Sequence, residues 1–198
     1  MYYPEIFSQP QTEAAARELI CNPEQELSPD QRWEVETAWL LEHIRLLPGL
    51  TIDYGCGIGR LTKHLPGPVV GVDISASMLA MAQTYVDRRD CVFAHPEWMS
   101  PSHLRACNIL AVWVLQHIPA VEQAVTFLRE CLIPSGLFWV VDHGKRHIPV
   151  KQNGEFGWAV DRLNTIDVMY RHFQLVDMED MPAHLCNKGA TLSCWRKL

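Results

Sequence analysis

The stretch Leu50-Thr-Ile-Asp-Tyr-Gly-Cys-Gly-Ile-Gly-Arg60 narrows the folds open to this chain more than any other. A short β-prone run ends in Asp53, and glycines follow at the alternate positions 55, 57 and 59. Without a Cβ, glycine lets the backbone turn sharply and lets a ligand come close to the main chain. A second strand-like run, Val69-Val-Gly-Val-Asp73, also ends in an acid. A glycine-rich turn behind one strand and an acid behind the next mark a nucleoside site at the edge of a doubly wound sheet. An ordinary strand-to-helix turn would explain the glycines but not the two acids that flank them.

The glycine spacing separates two kinds of cofactor. The dinucleotide fingerprint G-x-G-x-x-G asks for glycine at position 60, where this chain has Arg60. The turn is therefore read as one that has no pyrophosphate to cradle.

Composition removes several function classes. The 198 residues suit one domain with an appendage and can bury a substantial core. Seventeen basic against 23 acidic residues give a formal charge of −6, which argues against a phosphate-backbone partner. The seven cysteines, at 21, 56, 91, 107, 131, 186 and 194, are odd in number and form no C-x-x-C, so neither a disulfide framework nor a zinc site is expected. The first residues lack a basic stretch followed by an apolar one, and no run reaches membrane-spanning length. The expectation is a reduced, cytoplasmic protein with no membrane partner and no metal.

Along the chain, Ser28-Pro-Asp-Gln31 reads as a helix start, with Ser28 as cap, Pro29 in the first turn and Gln31 as capping-box partner. It opens a helix to about residue 46, after a shorter one over 12–20. Residues 1–49 are thus expected to form a helical cap on a domain over 50–198. From residue 50 the pattern alternates strand and helix, as a parallel sheet requires. Strands are expected at 50–54, 68–73, 91–94, 108–114 and 137–142, with helices near 59–65, 76–87 and 120–132 and a weak turn near 101–106. A last helix is expected at 158–171, because Ala159, Leu163, Ile166 and Tyr170 share one helical face. Strand-like segments at 173–178 and 190–196 close the chain.

These motifs together resemble the class I S-adenosylmethionine-dependent methyltransferases. The D-x-G-x-G-x-G run matches that family's first motif. Asp73-Ile-Ser-Ala-Ser-Met78 is similar to its passage after the second strand, Val114-Leu-Gln-His-Ile118 to its segment after the fourth, and Leu132-Ile-Pro-Ser-Gly-Leu-Phe138 to its turn into the fifth. The matches cover roughly residues 50–142. The resemblance implies an α/β fold: a doubly wound, mostly parallel seven-stranded sheet with an antiparallel last strand and helices on both faces. It implies S-adenosylmethionine as cofactor. Gly55, Cys56, Gly57, Gly59 and Arg60 would pass the cofactor's amino-acid end, with Asp53 on the same side. Asp73 would take the ribose hydroxyls, and Ile74 and Met78 would lie beside ribose and adenine.

The chain also departs from the family pattern. Cys107-Asn108 stand where an acid usually precedes strand four. His95 holds the position of the acid after strand three, with Glu97 two residues on, and Ser135 replaces a glycine. Glu97, Trp98 and Trp113 are candidates for the adenine side, although either tryptophan could equally be packing. His117, three residues past strand four, is the candidate catalytic residue, since an imidazole titrates near neutrality and can accept a proton. The cluster Asp142-His-Gly-Lys-Arg-His147 follows strand five on the same rim. The activity expected is methyl transfer to a nucleophilic atom, with a small-molecule acceptor ahead of a protein side chain. Two rivals are a cofactor-binding module without catalysis and a nicotinamide-dependent oxidoreductase.

Overall fold

The computed structural model of the protein describes residues 1–21, 27–143, 145–185 and 189–198. The strands are β1 (Thr51–Tyr54), β2 (Val69–Val72), β3 (Cys91–Ala94), β4 (Ala106–Val112), β5 (Leu132–His143), β6 (Arg146–Gln152), β7 (Glu155–Asp161), β8 (Gln174–Asp180) and β9 (Ala190–Arg196). The helices are α1 (Glu13–Ile20), α2 (Pro29–His43), α3 (Ala76–Val86), α4 (Val121–Cys131) and α5 (Thr165–His172). Seven strands form one sheet in the order β3-β2-β1-β4-β5-β9-β8, in which β9 alone runs antiparallel to its neighbours. This is the doubly wound sheet expected from the alternating pattern.

Burial on both faces explains why β4 and β5 are nearly continuous apolar runs. Successive residues feed opposite cores. Ile109, Phe138 and Val140 pack with Val125 and Leu128 of α4 and with Val168 and Met169 of α5. Leu110, Trp139 and Val141 pack with Leu40 and Ile44 at the end of α2 and with Leu61 and Leu65. The N-terminal helix α2 therefore completes one face of the sheet core. It starts as the sequence dictates: Gln31 N–H donates to Ser28 Oγ at 3.3 Å, and Ser28 N–H donates to Gln31 Oε1 at 3.1 Å.

Three local expectations are corrected. No regular helix forms over 59–65. Gly59 sits at φ +85°, outside helical space, and only single turns such as Lys63 N–H to Gly59 O (3.1 Å) follow it. The helix expected over 158–171 starts later, as α5, where the Asn164 side chain accepts Ile166 N–H at 2.9 Å. The residues before it form β7, which pairs with β6 in a separate two-stranded sheet, Ile148 opposite Ala159. The turn between them is Asn153-Gly154, with φ +51° and +87°. That dipeptide is a strong hairpin signal; its significance was hidden by the helical spacing further on. The strand-five turn keeps its left-handed backbone without glycine, Ser135 standing at φ +61°. Of the cysteines, the six described are free; Cys186 lies outside the described residues, as does Gly144 of the cluster after β5.

Candidate functional site

The strand order reverses between β1 and β4, and a doubly wound sheet opens a crevice at that point beyond the carboxyl ends of its strands. Here it becomes a cleft of about 510 Å³ that runs from the glycine turn and Asp73 to His117 and the β6–β7 hairpin. Asp53, Gly55, Cys56, Gly57, Arg60, Asp73, Ile74, Met78, Trp113 and His117 all line it. Gly59, Glu97 and Trp98 do not. A Cβ on Gly59 would stand 2.4 Å from Val86 Cγ2, so that glycine serves close packing of the turn on α3. Trp98 is 82% exposed, and Glu97 is solvent-facing as well. The proline in Ala94-His-Pro-Glu-Trp98 turns the chain into a short 3-10 helix that carries both side chains away from the cleft.

At one end, Asp73 gathers the turn. Its Oδ2 accepts Gly57 N–H at 2.9 Å and its Oδ1 accepts Ser75 N–H at 2.8 Å. Burial raises its pKa, and those backbone donors partly counter the rise. Each carboxylate oxygen keeps a second lone pair for a hydroxyl. Gly57, at φ +55°, presents bare backbone to the cleft, with Ile20 Cδ1 3.2 Å from where a Cβ would lie. Gly57→Val should therefore strain the turn and fill the space beneath α1, weakening S-adenosylhomocysteine binding at least a hundredfold by calorimetry. A folded variant that binds normally would show that the turn does not face the ligand.

Beneath the turn lies a buried ion network that the sequence did not disclose. Glu36 of α2, 1% exposed, accepts from Arg60 Nη2 at 2.8 Å, Arg32 Nε at 2.9 Å and Trp113 Nε1 at 2.8 Å. Burial would raise the Glu36 carboxyl, but Arg60 and Arg32 overcome it and hold it below its usual value. Two guanidiniums share this one carboxylate, and Arg60 Nη1 is buried without a partner. Asp53 accepts from Thr62 Oγ1 at 2.5 Å rather than from Arg60, and burial pushes it up to about 6 against the pull of Thr62 and Arg60. Trp113 itself stands at φ +62°, a left-handed backbone rare for a bulky residue, held there by the bond to Glu36.

Asn108 belongs elsewhere. It is buried at the amino end of β4, where it accepts Leu47 N–H at 2.9 Å and donates to Leu47 O and Thr51 Oγ1. It ties the segment entering β1 to β4, at the end of the sheet opposite the cleft.

At the other end of the cleft, His117 Nδ1 donates to His147 O at 2.7 Å, which leaves Nε2 as the acceptor for Gln116 Nε2 at 3.0 Å. Burial, with His147 and His143 nearby, lowers its pKa to about 4. In the unfolded chain the same imidazole titrates near 6.5, so the unfolded state takes up a proton that the folded state refuses between those values. Folding stability should fall as pH drops from 6.5 to 4, by at most about 3 kcal/mol from this residue. Denaturant melts at pH 7 and 4.5 should show a smaller loss for His117→Gln than for the parent. Equal losses would place the His117 pKa near its ordinary value.

The cleft is roofed by the N-terminal residues and the β6–β7 hairpin. Tyr3 N–H donates to Pro149 O and Lys151 N–H to Met1 O, both at 2.9 Å, so the N-terminal residues lie along β6. Ser77 Oγ then holds Ser8 O at 3.3 Å on α3. At the hairpin's base, fully buried Arg146 bonds the Asp161 carboxylate and the Ile118 carbonyl. Among the described residues, no group of three or more His, Cys, Asp or Glu side chains is set to hold a metal ion, and no helix is long and apolar enough to cross a membrane.

Residues 52–140 match the profile of the family described as "Methyltransferase domain". That match covers just under half of the chain. It supports S-adenosylmethionine as the cofactor. The match starts inside β1 and ends inside β5, so it spans the glycine turn, Asp73 and His117. Among curated protein sequences, none matches the chain. Solved structures share its fold. A Listeria monocytogenes protein described as an S-adenosylmethionine-dependent methyltransferase is 16% identical, with a TM-score of 0.66 over 84% of this chain and 99% of that one. DhpI, solved with S-adenosylhomocysteine, is 17% identical, with a TM-score of 0.64 over 93% and 94%. Magnesium protoporphyrin IX methyltransferase from Synechocystis, also with S-adenosylhomocysteine, is 14% identical, with a TM-score of 0.62 over 95% and 96%. At these identities the likeness is one of fold.

The residues present in the cleft fit S-adenosylmethionine. The bare backbone at Gly57, the free lone pairs of Asp73 and the unpartnered Arg60 Nη1 offer, respectively, room for the amino-acid end, acceptors for ribose hydroxyls and a cation for a carboxylate.

Proposed function

We propose that this protein is an enzyme that transfers a methyl group from S-adenosylmethionine to a nucleophilic atom of a small molecule. The observation that carries the reading is continuity: one cleft joins the glycine turn and Asp73 to His117 and is covered by the N-terminal residues and the hairpin. When bound, the cofactor supplies a methyl group activated by its positive sulfur. The chain has then to orient the acceptor and exclude water. The roof supports a small acceptor over a protein side chain, because a polypeptide would have to displace it. The net charge of −6 argues against nucleic acid.

In this reading Asp73 and the turn hold the cofactor, with Arg60 and Arg32 facing its charged end. His117 positions the acceptor. Both its ring nitrogens are engaged, and a conjugate acid near 4 makes a weak base. Calorimetry with S-adenosylhomocysteine and NAD tests the cofactor half, and binding of NAD alone would sink the proposal. Turnover of an acceptor separates the enzyme from a binding module. There, His117→Gln is expected to retain most of the rate and His117→Ala to lose it. A slow Gln variant would return the general-base role to His117.

A further inference from the structure

The acceptor half of the cleft has a chemistry of its own. Its wall is built from rings: Phe7 of the N-terminal residues, Trp113 and His117 after β4, His143 at the end of β5, and His147 and Trp158 of the hairpin. They stand in contact. Phe7 and His117 have centroids 5.5 Å apart, His117 and Trp158 5.2 Å, and Trp113 and His143 4.8 Å, all at tilts of 40–46°. The hairpin extends the set outward, with Phe156 5.2 Å from Trp158 and Tyr3 6.3 Å from Phe156. Trp158 is 44% exposed, so one face of its indole meets solvent at the mouth.

Charge is arranged differently. Of the charged residues lining the cleft, Asp53, Arg60 and Asp73 belong to the glycine-turn half. Arg32 reaches the Trp113 ring, 5.8 Å from its centre, but its guanidinium is already paired with Glu36. Among the described residues no carboxylate lines the acceptor half, and Asp142 is buried behind it. A cationic amine would find no counter-charge among them. Burial lowers the pKa of His117 and His143, so neither offers a positive charge to an anion at neutral pH. The other groups lining it are π-faces, the Tyr54 hydroxyl, the His147 imidazole and the amide of Gln116. Offset and edge contacts with such faces favour a flat ring over a saturated one of equal size.

We propose that the acceptor is a planar, uncharged aromatic molecule, held among Phe7, Trp158 and the imidazoles of the cleft. This rests on the methyl-transfer reading above. Transfer to a hydroxyl of such a molecule forms the carbon–oxygen bond as the sulfur–methyl bond of S-adenosylmethionine breaks, leaving a neutral thioether and releasing the hydroxyl proton to water.

Four probes of one size test it by calorimetry on the intact protein, with and without saturating S-adenosylhomocysteine: 2-naphthol, its saturated counterpart decahydro-2-naphthol, 2-naphthoate and 2-naphthylmethylammonium. The expected result is that 2-naphthol binds at least tenfold tighter than the other three. Trp158→Leu should cut the preference over decahydro-2-naphthol to threefold or less while S-adenosylhomocysteine affinity stays within twofold. Because Trp158 lies at the surface, the variant should fold, and an unchanged melting temperature checks this. Equal binding of the flat and saturated rings, tighter binding of either ion, or a preference that survives Trp158→Leu would overturn the acceptor class and leave the cofactor reading standing. Absence of S-adenosylhomocysteine binding would overturn both.

Discussion

Replacing Glu36 with leucine is expected to destabilise the protein by about 3–5 kcal/mol, because it strands two buried guanidiniums. Arg60 and Arg32 are each about 95% buried and share this one carboxylate, and Trp113 loses its acceptor in the same step. For a domain whose whole stability is on the order of 5–15 kcal/mol, such a loss approaches unfolding at physiological temperature. Denaturant melts check it. Glu36→Gln, which keeps an oxygen for Trp113 Nε1 or Arg60 but no charge, should fall between parent and leucine variant. A loss below about 1 kcal/mol for leucine would mean that the arginines find other partners or water. The buried network links α2 to the glycine turn, so its failure should also loosen the cofactor end of the cleft.

The second large effect is expected from Asp73→Ala. Charge-assisted hydrogen bonds contribute roughly 1.5–3 kcal/mol each, so loss of two to the ribose hydroxyls should weaken S-adenosylhomocysteine binding by a hundredfold or more. The structure adds a second contribution. Asp73 also holds Gly57 N–H and Ser75 N–H, so alanine frees the turn and the start of α3 together. Asp73→Asn separates the two, since its single oxygen can keep one of those donors. Calorimetry, with circular dichroism to confirm the fold, reads the result. A change in affinity of less than threefold for alanine would remove Asp73 from the ribose site.

Much of the fold was legible in the residues because its signals are local. An apolar run of strand length fits a strand buried on both faces, and Ser28-Pro-Asp-Gln31 carries a helix start in its own residues. The glycine turn, Asp73 and His117 were legible for the same reason: a site built at strand ends leaves its marks next to the strands. The β6–β7 hairpin was missed although its Asn153-Gly154 turn is a local signal, because the apolar residues at 159, 163, 166 and 170 fit a helix equally well. The chain divides them between a strand and a helix at Asn164.

Glu97 and Trp98 show the opposite limit. Their place after β3 suggested the adenine side, but the direction of a side chain leaving a strand depends on the turn that follows. Here Pro96 starts a 3-10 helix that exposes both.

The alternation of strand and helix, the glycine turn that borders the cleft and the acid beside it were therefore set by short-range patterns, which propensity and periodicity can read. The partners of Glu36, those of Asn108 and the ring-lined half of the cleft were set only on folding. Glu36 and Trp113 are 77 residues apart, and His117 and the carbonyl of His147 are 30 apart. Contacts across such separations depend on the packing of whole elements, and no local pattern encodes them.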